Sequence, residues 1–253
     1  PATGDRPIRF VYFGGGTPTI TRDLLLEQIL KAIFTHHSIS STAEITLEAN
    51  PDDITPSKIM NWKAMGINRL SIGIQSFDDK DLLWMNRAHN ATESLRAVAI
   101  CQENGITNLS IDLIYGLPQM DETRWNKQLK IALSLHVPHI SAYCLTIEEN
   151  TTLKHLVNTK KIIPANNEEQ ALHFQILQQR LKEAGYIQYE ISNFGKPGFF
   201  SQHNSSYWKG ENYQGIGPSA HSYNGVCRSW NIANNRTYML EIKKIKDHMK
   251  MKY

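Results

Sequence analysis

Four segments of the sequence place glycine-rich or polar residues directly after apolar runs that are typical of buried strands. They are GGGTPT (residues 14–19), EANP (residues 48–51), GIQS (residues 73–76) and DLIYGLP (residues 112–118). Consecutive glycines carry no Cβ, so their backbone amides can come within hydrogen-bonding distance of a carboxylate or phosphate. A tight turn between a strand and a helix explains the same glycines without a ligand.

Four polar side chains in or near these segments suit the binding of a zwitterion that carries a ribose. Glu48 can accept hydrogen bonds from an ammonium or a hydroxyl, although a helix cap or a salt bridge is an equal alternative. Gln75 and Asp112 offer an amide and an acceptor, and Arg87 offers a planar fork of donors suited to a carboxylate. Their shared placement at strand ends is more informative than any one of them.

The elements that position these residues alternate between strands and helices. Predicted strands cover residues 9–12, 44–47, 68–74, 109–114, 139–145 and 189–191. Predicted helices cover residues 23–34, 57–65, 79–85, 92–104, 122–135 and 168–184, with Thr21 or Asp23 capping the first. Strands joined by helices of this length pair in parallel, and ligands of such sheets bind where the strands end.

Composition narrows the class of protein. Of the 253 residues, 41% are hydrophobic. The 27 Lys and Arg residues and the 24 Asp and Glu residues give a net charge of +3, and they form no dense basic patch. Nucleic acid is therefore not a predicted partner. No apolar run approaches the length of a transmembrane segment, and a cytoplasmic protein is predicted. The three cysteines, Cys101, Cys144 and Cys227, lie far apart, as expected of reduced thiols.

The motifs GGGTPT, LEANP, SIGIQSF, MNRAH and IDLIYGLP resemble, in this order and spacing, those of the oxygen-independent coproporphyrinogen III oxidase family of radical S-adenosylmethionine (SAM) proteins. The resemblance covers residues 10–230. It implies an α/β fold, a partial (β/α)6 TIM-like radical SAM barrel over residues 1–186, with a small C-terminal extension over residues 187–253. It also implies two cofactors, SAM and a 4Fe-4S cluster.

The resemblance also assigns cofactor-binding residues by motif. Gly15, Gly16 and Thr17 would hold the amino end of the methionine part of SAM. Glu48 and Gln75 would line the cofactor, Arg87 and Asp112 would contact its polar groups, and Thr146 would touch it at the end of the last clear strand.

The cysteine triplet CxxxCxxC that binds the iron–sulfur cluster in this family is absent from the sequence, so no metal ligand is assigned in this chain. Cys101 and Cys144 are interpreted as core residues. Two explanations stand side by side: the first barrel strand and its cysteines lie in a missing N-terminal segment, or the cluster chemistry has been lost. The first is favoured, because an incomplete barrel would leave unpaired backbone groups at its edge.

The extension carries HNSSYW (residues 203–208), an HNxxYW pattern similar to that of the heme-chaperone branch of the family. His203, Tyr207 and Trp208 are therefore candidates for binding heme, because imidazole ligates heme iron and aromatic rings pack on a porphyrin. A hydrogen-bonded structural histidine is the other interpretation of His203. The predicted function is that of a heme chaperone, with heme or another tetrapyrrole as cargo and heme-accepting respiratory proteins as possible partners.

Two alternative functions remain. One is the oxygen-independent oxidase itself, which would decarboxylate coproporphyrinogen III oxidatively to protoporphyrinogen IX. The other is an unrelated α/β-barrel hydrolase or aldolase that uses Glu48 and Asp112 as acid and base. The latter leaves Gln75, Arg87 and the glycine triplet unexplained.

Overall fold

The computed structural model describes residues 7–250, with side chains described up to residue 244. The strands are β1 (Ile8–Phe13), β2 (Ile39–Ala49), β3 (Arg69–Gln75), β4 (Leu109–Tyr115), β5 (His139–Cys144), β6 (Ile187–Gln188), β7 (Asn193–Gly195), β8 (His221–Tyr223) and β9 (Arg228–Trp230). The helices are α1 (Asp23–His36), α2 (Pro56–Ala64), α3 (Asp79–Trp84), α4 (Ala91–Glu103), α5 (Glu122–Ser134), α6 (Thr152–Asn158), α7 (Asn167–Glu183), α8 (Gln202–Trp208) and α9 (Asn235–Lys250).

A curled sheet of seven strands forms the body of the protein, in the order β1-β2-β3-β4-β5-β7-β6. Strands β1 to β5 pair in parallel with their neighbours in sequence, as helical crossover connections require. The two short strands β7 and β6 add antiparallel pairs at the far edge. The sequence-based prediction of a partial TIM-like barrel is confirmed.

Capping residues and a glycine mark where the predicted helices begin and end. Thr55 caps α2 by accepting a hydrogen bond from the Lys58 amide, and Gly66 follows this helix with a φ of +94°. Asn90 and Glu93 form a reciprocal capping box at the start of α4. These polar contacts satisfy amides that have no partner inside the helix, which is why the sequence located these helices well.

Two local predictions were wrong. Residues 189–191 are not a strand; they lie between β6 and β7 and make the bend that lets these strands pair. Neither Thr21 nor Asp23 caps α1, because Arg22 occupies the N-cap without a side-chain hydrogen bond and Asp23 is the first helical residue. An acidic side chain in the first turn still stabilises the helix through its dipole.

Successive residues of the parallel strands point to opposite faces of the sheet, and the two faces differ in chemistry. The outer face packs under the helices in one apolar core, with residues such as Leu47, Leu70, Ile72, Ile111 and Ile140. The inner face is polar, with Thr46 and Glu48 on β2, Arg69 and Ser71 on β3, Ser110 and Asp112 on β4, and His139 and Ser141 on β5. Most TIM barrels fill this space with branched apolar side chains, so a polar interior indicates a ligand cavity.

Helix α8 lies against the same sheet, next to β1. Glu44 of β2, which is buried, accepts hydrogen bonds from the amides of Gln202 and His203 and from the Ser201 hydroxyl at the start of α8. These contacts fix α8 beside β1 and β2. Among residues 7–250, no helix is both long and apolar enough to cross a membrane.

Candidate functional site

A cavity of about 270 Å³ runs from the carboxyl ends of the parallel strands into the space inside the curled sheet. Its lining contains six of the eight residues assigned to SAM from the sequence, namely Gly16, Thr17, Glu48, Gln75, Arg87 and Asp112. Gly15 and Thr146 are not in the lining. Thr146 is exposed in the loop after β5.

The glycine triplet forms a turn that packs against Glu48. Gly15 and Gly16 have φ values of +77° and +76°, a region that favours glycine. Glu48 accepts a 2.6 Å hydrogen bond from the Tyr12 hydroxyl and a 3.2 Å hydrogen bond from the Gly15 amide. A Cβ on Gly14 would lie 2.8 Å from the Glu48 Oε1 atom, so this close approach requires glycine. The turn and the carboxylate therefore form one unit at the mouth of the cavity.

Arg87 joins three strand ends. Its Nη2 atom donates to the Asn50 side-chain oxygen at 2.7 Å and to the Gly73 carbonyl at 3.0 Å, and Asn50 in turn donates to the Thr17 hydroxyl at 3.2 Å. Desolvation by burial lowers the pKa of Arg87, while the nearby Asp52 carboxylate raises it. The buried Nε atom of Arg87 has no hydrogen-bond partner in the described part of the chain. It is an unsatisfied donor of a residue that lines the cavity.

Gln75 ends β3 in a conformation that side chains rarely adopt. Its φ is +69°, and the pairing of β3 with β4 shifts register between Ile72 and Gln75. Backbone conformations of this kind cost about 1–3 kcal/mol and occur often at ligand sites. The bulge places the Gln75 side chain in the cavity lining.

Asp112 lies on the inner face of β4 and accepts hydrogen bonds from the Ser71 hydroxyl at 3.2 and 3.3 Å. Desolvation by burial raises the pKa of Asp112 to about 7, against the lowering effect of hydrogen bonds from Ser141 and Ser71. A carboxyl that titrates near neutrality can accept from a hydroxyl or pair with a cation when it is ionised, and donate when it is protonated.

The rest of the lining contains residues that were not assigned from the sequence. They include Tyr12, Asn50, Arg69, His139, Tyr143 and Asn204. His139 bridges the Ser110 hydroxyl (2.7 Å) and the Tyr189 hydroxyl (2.8 Å), and desolvation holds the pKa of His139 well below its usual value. For Arg69, His139 and Tyr143 part of the signal was present in the sequence, because polar and apolar residues alternate along most of β2 to β5.

The three heme candidates do not lie together on one open surface. The His203 ring stacks on Tyr12 with centroids 4.1 Å apart, and burial lowers the pKa of His203 to about 4. Its Nε2 atom is 3.2 Å from the Tyr207 hydroxyl, while its buried Nδ1 atom has no hydrogen-bond partner among the side chains described. Trp208 is 62% exposed.

The described residues contain no group of three or more His, Cys, Asp or Glu side chains arranged to hold a metal ion. Cys101 is fully buried in α4, where burial raises the pKa of its thiol to about 12, as expected of a core residue. Cys144 is partly buried at the end of β5, and Cys227 is exposed.

The sequence matches the radical SAM superfamily over residues 2–127. With a curled, mainly parallel half-barrel and a polar cavity at its strand ends, the chain belongs to this superfamily. Within it, the chain is similar to the heme chaperone HemW of Bacillus subtilis, with 34% identity over 94% of this chain and 63% of that protein. It is also similar to the mitochondrial radical S-adenosyl methionine domain-containing protein 1 of Bos taurus, with 37% identity over 87% of this chain and 50% of that protein.

The fold is also that of a solved structure. The coproporphyrinogen III oxidase HemN of Escherichia coli, described as a radical SAM enzyme, superposes with a TM-score of 0.80 at 23% identity, over 94% of this chain and 58% of that one. At this identity the likeness shows the fold alone. The chain spans between half and two thirds of the length of these relatives.

Proposed function

We propose that this chain is the SAM-binding barrel of a heme chaperone of the HemW type. The observation that carries the proposal is the convergence of Gly16, Thr17, Glu48, Gln75, Arg87 and Asp112 on one cavity. Support for the heme-chaperone branch comes from the names of the relatives at 34% identity and from the HNxxYW motif in α8.

The lining fits the chemistry of SAM. A carboxylate (Glu48), an amide side chain (Gln75) and a carboxyl with a pKa near 7 (Asp112) suit an ammonium, an adenine edge and ribose hydroxyls. Arg87, whose Nε atom has no hydrogen-bond partner in the described part of the chain, also lines this cavity. We propose that Gly15 acts indirectly, by holding Glu48, and that Thr146 reaches SAM only if the loop after β5 folds over the cavity.

The superfamily implies a 4Fe-4S cluster beside SAM. When bound, such a cluster supplies the electron for reductive cleavage of SAM. This sequence contains no CxxxCxxC, and the source of the cluster ligands stays a prediction. The residues present here are proposed to bind and orient SAM only.

We propose that heme binds at α8 through His203, with Tyr207 and Trp208 beside it. The exposed face of Trp208 offers a surface for the porphyrin, and His203 can ligate iron only if its Nε2 atom leaves the Tyr207 hydroxyl. The low pKa of His203 keeps the imidazole neutral at pH 7, which is the form that ligates iron. The respiratory acceptor of the heme and a cytoplasmic location stay predictions.

A second candidate, the oxidase reaction on coproporphyrinogen III, is favoured by the polar inner face of the sheet, which can accommodate a substrate with carboxylates. One experiment separates the two. The complete protein, reconstituted anaerobically with its cluster, is incubated with SAM, a chemical reductant for the cluster, an electron acceptor for the substrate and either heme or coproporphyrinogen III. A Soret shift with heme and no release of carbon dioxide from coproporphyrinogen III supports the chaperone. Carbon dioxide release identifies the oxidase, and absence of both responses removes both functions.

A further inference from the structure

The inner end of the cavity is formed by two neighbouring polar residues, Thr46 and Arg69. Thr46 of β2 pairs in register with Arg69 of β3, and both are about 1% exposed and line the cavity. The Oγ1 atom of Thr46 and the Nη2 atom of Arg69 are buried, and neither has a hydrogen-bond partner within the described residues. Two adjacent polar groups of this kind are costly unless a ligand satisfies them.

The remaining donors of Arg69 are directed away from the cavity. Its Nη1 atom donates to the Asn108 side-chain oxygen at 2.6 Å and to the Phe199 carbonyl at 3.1 Å. Its Nε atom lies 3.9 Å from Glu44, whose carboxylate is held by the start of α8. The contacts of Nη1 and Nε therefore hold the guanidinium in place, whereas Nη2 has no hydrogen-bond partner among the described residues.

Carboxylate oxygens are the natural partners of a fixed guanidinium with an adjacent hydroxyl. Burial lowers the pKa of Arg69, and the titratable groups that act on it, whose charges raise this pKa, are Glu44, Tyr189, Tyr12 and Asp112. His139 lines the same part of the cavity. His139 is neutral at pH 7, since burial holds its pKa well below the usual value, so it does not compete as a cation. Asp112 is already held by Ser71 and leaves Arg69 Nη2 without a bond.

We propose that Arg69 and Thr46 form a subsite for one carboxylate of the tetrapyrrole, in practice a propionate side chain. This inference rests on the proposed function. The same row of residues extends to the heme motif: Tyr12 is the register partner of Thr46 on the other side, and its ring stacks on His203. Ser201 and Asn204, which flank His203, also line the cavity. The subsite thus orients a ligand whose other proposed contacts are the iron ligand His203 and the aromatic rings of Tyr207 and Trp208.

The test compares heme with its dimethyl ester, which lacks the carboxylate charges, by Soret titration of the complete protein. The variants are Thr46→Val, which removes the hydroxyl at nearly constant volume, and Arg69→Lys, which keeps the charge but loses the planar fork. Matched controls are Thr35→Val and Arg96→Lys on the exposed faces of α1 and α4. We expect the unmodified protein to bind heme about tenfold or more tightly than the ester. Both variants at the subsite should shrink this ratio several-fold, and both controls should leave it unchanged.

Other outcomes overturn the inference in distinguishable ways. Equal affinity for heme and ester in the unmodified protein removes the subsite and leaves the proposed function intact. Absence of a Soret change with either ligand removes the proposed function itself. If Arg69→Lys does not fold, the affinities of Thr46→Val for heme and for the ester provide the test. An equal loss of affinity for both ligands shows a structural effect and overturns the subsite.

Discussion

The rings of Tyr12 and His203 lie nearly parallel, with centroids 4.1 Å apart and an angle of 15° between their planes. The Tyr12 hydroxyl also donates a hydrogen bond to Glu48 at the mouth of the cavity. One tyrosine on β1 therefore contacts both the proposed SAM site and the heme motif of α8. Burial, followed by the Glu48 charge, raises the pKa of Tyr12, so that the hydroxyl stays protonated and continues to donate.

Replacing His203 with alanine tests the heme motif. His203→Ala should remove the Soret shift on heme titration, because the imidazole that would ligate iron is gone. It should also lower the free energy of unfolding by about 1–2 kcal/mol, since the stack on Tyr12 is lost. The control is His155→Ala on the exposed side of α6, which should change neither quantity. A full Soret shift in His203→Ala would show that another group ligates the heme.

Paired glycine substitutions separate backbone strain from ligand binding. Gly16 and Gly198 both have positive φ values, +76° and +86°, and a Cβ on either would meet no atom within 4 Å. Alanine at each position should therefore cost about 1 kcal/mol of stability for the same conformational reason. Only Gly16→Ala should also weaken SAM binding, because Gly198 lies outside the cavity lining. Isothermal titration with SAM and chemical denaturation of both variants check this, and equal SAM affinities would contradict it.

Much of the fold followed from the sequence because its signals are local. The apolar periodicity and the capping residues of α2 and α4 placed the parallel strands and crossover helices within a few residues. The bend at residues 189–191 was mistaken for a strand because β6 and β7 are set by pairing across the sheet and not by their own composition. Helices α6 and α8 are seven residues each and carry too short a pattern to be recognised.

The residues of the candidate site at the strand ends could be predicted from the sequence, whereas those inside the strands could not. Gly16, Gln75 and Arg87 stand in recognisable motifs at strand ends, and the structure brings them to one cavity. Arg69 and His139 stand inside strands, where a single polar residue looks like an edge position or a hydrogen-bonded core residue. Their significance depends on the alignment of four strands across the sheet, which sequence spacing alone does not give.

The pKa of Asp112 predicts a specific pH dependence of stability. Its folded-state pKa of about 7 lies above the ordinary value of 3.8, so the folded protein retains a proton that the unfolded chain releases between about pH 4 and pH 7. The free energy of unfolding should therefore fall as pH rises through this window, by on the order of 1–3 kcal/mol, and level off above it.

The variant Asp112→Asn isolates this contribution, because the amide cannot ionise. Relative to the unmodified protein, it should gain stability between pH 5 and pH 8 in urea denaturation. The control is Asp79→Asn in the exposed first turn of α3. Its free energy of unfolding should differ from that of the unmodified protein by the same amount at pH 5 and at pH 8. If the free energies of unfolding of Asp112→Asn and of the unmodified protein change with pH in parallel, Asp112 is ionised over the whole range.

The central claim is that SAM binds in the cavity lined by Glu48, Gln75, Arg87 and Asp112, and its most direct test is calorimetric titration of the complete, anaerobically prepared protein with SAM. We expect saturable binding that weakens about tenfold or more in Arg87→Gln, which removes a guanidinium from the cavity lining, and that is unchanged in Arg96→Gln on the exposed face of α4. Thermal unfolding of both variants establishes that they are folded. No binding by the unmodified protein, or equal binding by Arg87→Gln, would contradict the account.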